Sequence, residues 1–230
     1  MSMHVQGTTV DSGDGGSSHV TSGGGSWRVV REHVGCSVPR AVLERAGELR
    51  DRVLTGDVWE RDTDAVTGGS FLVACREARV PVLVSEISDV TGVDRGVIVT
   101  VSRVIQRCFD VRAPPVDAAV FIDRFTGVRG VTDDVEVVAR EVAGVCDAHG
   151  VASGRAPRVV AAASVYVAAD VVGETGVGAV TQSGVAGVIA SSARVVRDVV
   201  RVIRDAVTVT GTQRGDGAPE SSVTSVSVVC

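Results

Sequence analysis

Ser85-Glu-Ile-Ser-Asp-Val-Thr-Gly-Val-Asp-Arg-Gly-Val-Ile-Val-Thr-Val-Ser-Arg-Val-Ile105 can be laid without a gap on Ser183-Gly-Val-Ala-Gly-Val-Ile-Ala-Ser-Ser-Ala-Arg-Val-Val-Arg-Asp-Val-Val-Arg-Val-Ile203, 98 residues further on. Ser85/Ser183, Val90/Val188, Val97/Val195, Val101/Val199, Arg103/Arg201, Val104/Val202 and Ile105/Ile203 are identical, and Ile87/Val185, Ser88/Ala186 and Ile98/Val196 are conservative pairs. A small-residue apolar stretch precedes each copy, Ser70-Phe-Leu-Val-Ala-Cys75 and then Ser164-Val-Tyr-Val-Ala-Ala169. A self-match of this length indicates two similar modules in tandem.

Working outward, the chain of 230 residues is 44% hydrophobic, 22% charged and only 3% aromatic. It can bury a sizeable core, and that core must be aliphatic. Roughly a fifth of the residues are valine and none is lysine, far from ordinary usage. Valine favours strands as a rule, but here it recurs at helical spacing. The net charge of −5 gives no basic footprint to the whole chain. Any nucleic-acid surface must therefore be a local patch.

Cys36, Cys75, Cys108, Cys146 and Cys230 are scattered and odd in number, and neither a C-x-x-C pair nor a Cys/His cluster with zinc spacing occurs. This usage points to a reduced cytoplasmic setting. No signal-peptide pattern opens the sequence, and its longest apolar run, Val159 to Ala169, is too short to span a bilayer. No membrane role is expected.

Residues 1–26 are mostly Gly, Ser, Thr and Asp, the composition of a disordered tail, and Trp27 is expected to start the ordered region. Val38 to Leu54 places Val42, Leu43, Ala46, Leu49 and Val53 at helical spacing. Asp62 or Thr63 suits the cap of a helix running to Arg79, ahead of Pro81. Val84 to Val90 and Asp94 to Cys108 read as two helices around the Thr91-Gly92 turn, with Asp94 as N-cap.

Ala113-Pro114-Pro115 marks the boundary between modules. Past it come a short helix at Val116 to Phe125 and a helix capped by Thr132 and stopped at Gly150. An alanine-rich helix follows at Arg155 to Ala169, then one from Thr181 to Ile189 and a last one capped by Ser191 or Ser192 and reaching Asp205. The expected division is 1–26, 27–112, 113–206 and a flexible C-terminal tail at 207–230, where alternation over Val223 to Val229 leaves a short strand open.

In the last helix Arg194, Arg197, Arg201 and Arg204 step by 3, 4 and 3, which puts them on one face. Val195, Val196, Val199, Val200, Val202 and Ile203 are expected on the opposite, core-facing side. As the second helix of a helix-turn-helix, this element suits a major groove, with its first residues at base edges and its later arginines on phosphates. The competing reading is a solvated charged face. In the first copy Arg103 and Arg107 share a face and Arg95 lies off it, and there the solvated face is preferred.

Catalytic motifs are absent. The sequence has no phosphate-binding Gly-rich loop, no G-x-S-x-G and no H-E-x-x-H. His33 and His149 are isolated, and Asp133-Asp134 sits where a helix macrodipole favours acids. Neither an enzyme, a cofactor nor a metal is expected.

Ser153-Gly-Arg-Ala-Pro157, the alanine-rich Val160 to Ala168, Thr181-Gln182, Val185-Ala186 and Arg197 together resemble the second cyclin repeat of the archaeal and eukaryotic general transcription factor B family. Phe71 to Arg76, Pro81 and Glu86-Ile87 are similar to the matching part of the first repeat. The resemblance covers roughly Trp27 to Asp205. It implies an all-α fold of two tandem cyclin-like repeats of five helices each, each ending in a helix-turn-helix-like pair. It implies TATA-binding protein and promoter DNA as partners, with RNA polymerase a further candidate.

On the same resemblance, reading of the element beside the TATA box falls on Ser191, Ser192, Arg194, Arg197 and Arg201, and Arg95, Arg103 and Arg107 are candidate phosphate contacts. The sequence departs from the family pattern in several places. The family's N-terminal zinc ribbon has no counterpart in residues 1–26, its acidic residue after Thr-Gln is Gly184, and its Asn-Arg-Tyr is Asp198-Val199-Val200. The leading expectation is an initiation factor without the ribbon that acts by binding, as a regulatory paralog. The alternative is a cyclin-fold protein-interaction module without a DNA role.

Overall fold

The computed structural model describes residues 34–56, 58–59, 62–128, 130–151, 153–175, 179–210 and 225–228. The tail expected at 1–26 and the ordered start at Trp27 lie outside the described residues, as does 211–224. The described residues are all-α apart from one small ribbon. The order is α1 (Arg40–Thr55), α2 (Thr63–Glu77), α3 (Val84–Thr91), α4 (Arg95–Phe109), α5 (Ala118–Phe121) with a 3-10 turn at Ile122–Phe125, α6 (Asp133–His149), α7 (Pro157–Val172), α8 (Gln182–Val188), α9 (Ala193–Ala206), β1 (Val207–Thr210) and β2 (Ser225–Val228).

The helix starts follow from capping chemistry, since the first backbone N–H groups of a helix have no partner within it. Asp62 Oδ1 accepts from the N–H groups of Asp64 and Ala65, and Asp94 Oδ1 from those of Gly96 and Val97. Thr132, Thr181 and Ser192 do the same for α6, α8 and α9. Pro157 stands at the first position of α7, where its missing N–H costs nothing. The segment expected as one helix from Val116 is shorter and tightens into the 3-10 turn, with Ala118, Phe121, Ile122 and Phe125 buried.

Two apolar clusters form around α2 and α7. The first gathers residues from Val34 to Ala113, and the second Leu83 together with residues from Val116 to Val207. α2 is buried at every position from Ala65 to Cys75, and α7 from Val159 to Ala169 except Tyr166. Each is thus the central helix of its half. Many of the buried positions correspond. Val42, Ala46, Leu49 and Val53 of α1 match Val135, Ala139, Val142 and Cys146 of α6, 93 residues on. Ile98, Val101, Ser102 and Ile105 of α4 match Val196, Val199, Val200 and Ile203 of α9, 98 residues on.

Two expectations are corrected. Val195 does not pack on the core: it is 39% exposed, and so is its counterpart Val97, at 37%. Both lie at the edge of the buried stripe, one residue before Ile98 and Val196, which are fully buried. The region after 206 is not wholly a tail. β1 and β2 pair antiparallel, Val207 opposite Val228 and Thr210 opposite Ser225, and the ribbon lies on α6. Burial of Val207 and packing of Val226 on the second cluster supply the apolar contact that a free ribbon lacks. Among the described residues no helix is long and apolar enough to cross a membrane.

Candidate nucleic-acid interface

The second helix-turn-helix consists of α8, the turn Ile189 to Ser192, and α9. Ser192 spends its hydroxyl on the N–H of Val195, so it builds the helix start. Ser191 closes the turn, its N–H donating to the Ala186 carbonyl at 2.9 Å. Val196, Val199, Val200 and Ile203 anchor α9 to the core, which leaves Arg194, Arg197, Arg201 and Arg204 exposed.

The four arginines are not equivalent. Arg197 Nε donates to Gln182 Oε1 at 3.2 Å, so the Thr181-Gln182 pair caps α8 with one side chain and orients Arg197 with the other. Arg204 pairs with Asp170 of α7 at 2.7 Å and lies over the Tyr166 ring, which ties it to its own half. Arg194 and Arg201 have no ion pair among the described residues.

The first helix-turn-helix presents its arginines differently. Arg95 and Arg103, expected on different faces, line one cleft of about 450 Å³ between the two halves, and Arg107 is exposed outside it. Ser85 and Gly96 line the same cleft from the first half. Arg158 of α7 and Ala190 from the second turn line it from the other side. A smaller hollow of about 110 Å³ shares Leu83, Val84 and Arg158 with the cleft and adds Arg76.

Burial, and then the like charge of Arg103, hold the Arg76 guanidinium below the usual arginine range. None of Arg76, Arg95, Arg103 and Arg158 has an ion pair among the described residues. Four unneutralised guanidiniums thus border one concave surface of a chain with net charge −5. Local concentration of one sign in a cleft attracts the opposite charge and raises its association rate.

Sequence reasoning missed Arg76 and Arg158 as members of this surface. Both stand within or beside motifs that carry the family resemblance, Ala74-Cys75-Arg76 and Pro157-Arg158, and that was the available signal. Among the described residues no group of three His, Cys, Asp or Glu side chains is placed to hold a metal ion.

No family model matches the chain. Curated proteins do. The chain is 33% identical to "Transcription initiation factor IIB" of Methanopyrus kandleri over 139 residues, 60% of this chain and 45% of that protein. It is 33% identical to "Transcription initiation factor IIB 4" of Halobacterium salinarum over 133 residues, 57% of this chain and 40% of that protein. It is also 33% identical to "Transcription initiation factor IIB" of Archaeoglobus fulgidus over 138 residues, 60% of this chain and 42% of that protein. The matches thus span less than half the length of these relatives.

Proposed function

We propose that this homologue of archaeal transcription initiation factor IIB docks on TATA-binding protein and promoter DNA, and acts in transcription initiation by binding rather than by catalysis. In this reading the two halves, 27–112 and 113–206, are the two cyclin-like repeats of the family. α9 enters a major groove beside the TATA box, with Arg194 and Arg197 at base edges and Arg201 on a phosphate. Arg204, held by Asp170, supports the helix end. The cleft between the halves takes an acidic surface of the partner complex.

The observation that carries this reading is the distribution of arginines. Among the described residues, arginines without carboxylate partners lie on α9 (Arg194, Arg197, Arg201) and around the cleft and the hollow beside it (Arg76, Arg95, Arg103, Arg158), while Arg52, Arg107, Arg112 and Arg155 are unpaired elsewhere. Several cations of one sign on one concave surface favour an anionic partner there.

The test is a mobility-shift titration of the full chain on a TATA-containing promoter fragment, with and without TATA-binding protein, over a range of salt. A ternary complex with a steep salt dependence is expected, because release of condensed counterions accompanies each phosphate contact. Absence of a ternary complex at every salt concentration sinks the reading. Binding of TATA-binding protein in the absence of DNA, unchanged when DNA is added, favours instead the protein-interaction module.

A further inference from the structure

We infer that Glu86 and Arg124 form a lock that holds the two halves in one arrangement and so keeps the arginine cleft open before any partner arrives. This rests on the reading above only for what the cleft binds. The lock itself is a property of the free chain.

The carboxylate of Glu86 is held from three separate segments. Oε2 accepts from the Leu83 N–H at 2.9 Å, at the start of its own helix α3. Oε1 accepts from the Gly35 N–H at 2.9 Å, from the stretch that precedes α1. Arg124, in the 3-10 turn of the other half, reaches both oxygens: Nη1 donates to Oε2 at 3.2 Å and Nη2 donates to Oε1. Nη1 of Arg124 also donates to the Pro81 carbonyl at 2.9 Å.

The pair is enclosed. The Arg124 side chain is only 3% exposed and that of Glu86 16%. Gly35 is required at its place, because an added Cβ would stand 2.8 Å from Arg124 Nη2 and 3.0 Å from Glu86 Oε1. Around the pair, Leu83 comes from the first half of the chain but packs into the second cluster. Among the described residues the other ion pair between the halves, Arg79 with Asp117, is more than half exposed at both ends. Such a pair holds little.

Geometry sets the consequence. Arg124 is joined to α3, and α3 leads directly into α4, which carries Arg95 and Arg103 on one wall of the cleft. Arg158 and Ala190 on the opposite wall belong to the half that contains Arg124. A bidentate pair fixes angle as well as distance, so it determines how far the two walls stand apart. When only a fraction of molecules has the binding arrangement, apparent affinity falls by that fraction. Glu86 and Arg124 are therefore positioning residues for a partner that spans the cleft.

The test measures the inter-half distance in the full chain by pulsed electron spin resonance, with labels on Cys108 and on Val137→Cys, with Cys36→Ser to keep a polar group beside Arg124, and with Cys230→Ala. Both label sites are exposed. A single narrow distance distribution is expected for the unaltered pair and a broadened one for Glu86→Gln. Arg124→Lys, which keeps the charge but loses the fork, is the second variant, and it is expected to broaden the distribution as well.

Val142→Ala, a core variant with comparable loss of melting temperature, is the control and keeps the narrow distribution. In the mobility-shift titration Glu86→Gln weakens ternary binding by about tenfold, the effect of a competent population of about one in ten, and Val142→Ala leaves it near the parent value. Unchanged distances in folded Glu86→Gln and Arg124→Lys overturn the lock. Broadened distances without any ternary complex for the parent chain uphold the lock and overturn the function proposed for the cleft. Broadened distances with unchanged affinity overturn its positioning role.

Discussion

The two halves share many buried positions but close their helix-turn-helix pairs with different chemistry. At the left-handed residue of the turn, the first half has Gly92 at φ 70° and the second has Ala190 at φ 48°. At the third position of the preceding helix, Glu86 in α3 is matched by Gly184 in α8. Glu86 satisfies the helix start and then reaches across to Arg124, whereas in α8 the hydroxyl of Thr181 does the capping alone. At the crossing of the central helix with the last helix, Gly69 is matched by Ala163. One scaffold therefore serves two purposes. The first half is bound into the junction between the halves, and the second leaves its last helix free to face a ligand.

The largest expected effect comes from breaking what the first half has and the second lacks. Glu86→Ala leaves a guanidinium buried without its carboxylate, and breaking a buried pair from one side costs about 3–5 kcal/mol. Chemical denaturation followed by circular dichroism reads this loss directly. A loss below about 1 kcal/mol would show that water reaches Arg124.

Next is the close crossing of α2 and α4. A Cβ at Gly69 would lie 2.6 Å from Val101 Cγ1, so Gly69→Ala is expected to cost about 1–3 kcal/mol by overpacking. Ala163→Gly at the matching place is expected to cost about 2 kcal/mol, from helix propensity and the loss of one buried methyl, with no clash to relieve. A Gly69→Ala variant as stable as the parent would remove the distinction between the crossings.

On the binding side, Arg197→Ala is expected to weaken promoter binding by about 1–3 kcal/mol and to relax preference at one base pair. Arg201→Ala is expected to reduce the salt slope by about one and to weaken all sequences alike. Arg40→Ala, exposed on α1 and outside the cleft, should leave binding unchanged. Loss of affinity only in Arg107→Ala would transfer the interface to the first half.

The smallest effect tests the turns. An L-residue in the left-handed region costs roughly 1–2 kcal/mol that glycine avoids. Ala190→Gly is accordingly expected to raise stability by about 1 kcal/mol and Gly92→Ala to lower it by a similar amount. Melting temperatures of the two variants moving in the same direction would contradict this assignment.

Much of the fold was legible because helices announce themselves locally. Asp62, Asp94, Thr132, Thr181 and Ser192 cap the helices that their positions suggested, since a cap bonds only to residues two or three further along. The buried faces of α4 and α9 followed from spacing, but the exposed Val97 and Val195 did not. Periodicity gives the side of a helix, not how wide a stripe of it the neighbouring helices cover. The ribbon at Val207–Thr210 and Ser225–Val228 was only half legible, because alternation shows that a strand is possible and the surface of α6 decides whether it has anything to cover.

For the candidate site the division is the same. The arginine face of α9 is a property of one helix and could be counted off the sequence. The cleft and the hollow beside it are not, because Arg95, Arg103 and Arg158 of the one and Arg76 of the other come from three helices and from both halves. The sequence alone determined that this is a duplicated, helical, aliphatic-cored chain with an arginine-faced last helix, since those facts depend on neighbours within a few residues. Only the tertiary structure decided which arginines share a surface and that Glu86 meets Arg124 across 38 positions of chain. Charges act through space, and spacing along the chain does not encode the distance between elements that pack from opposite halves.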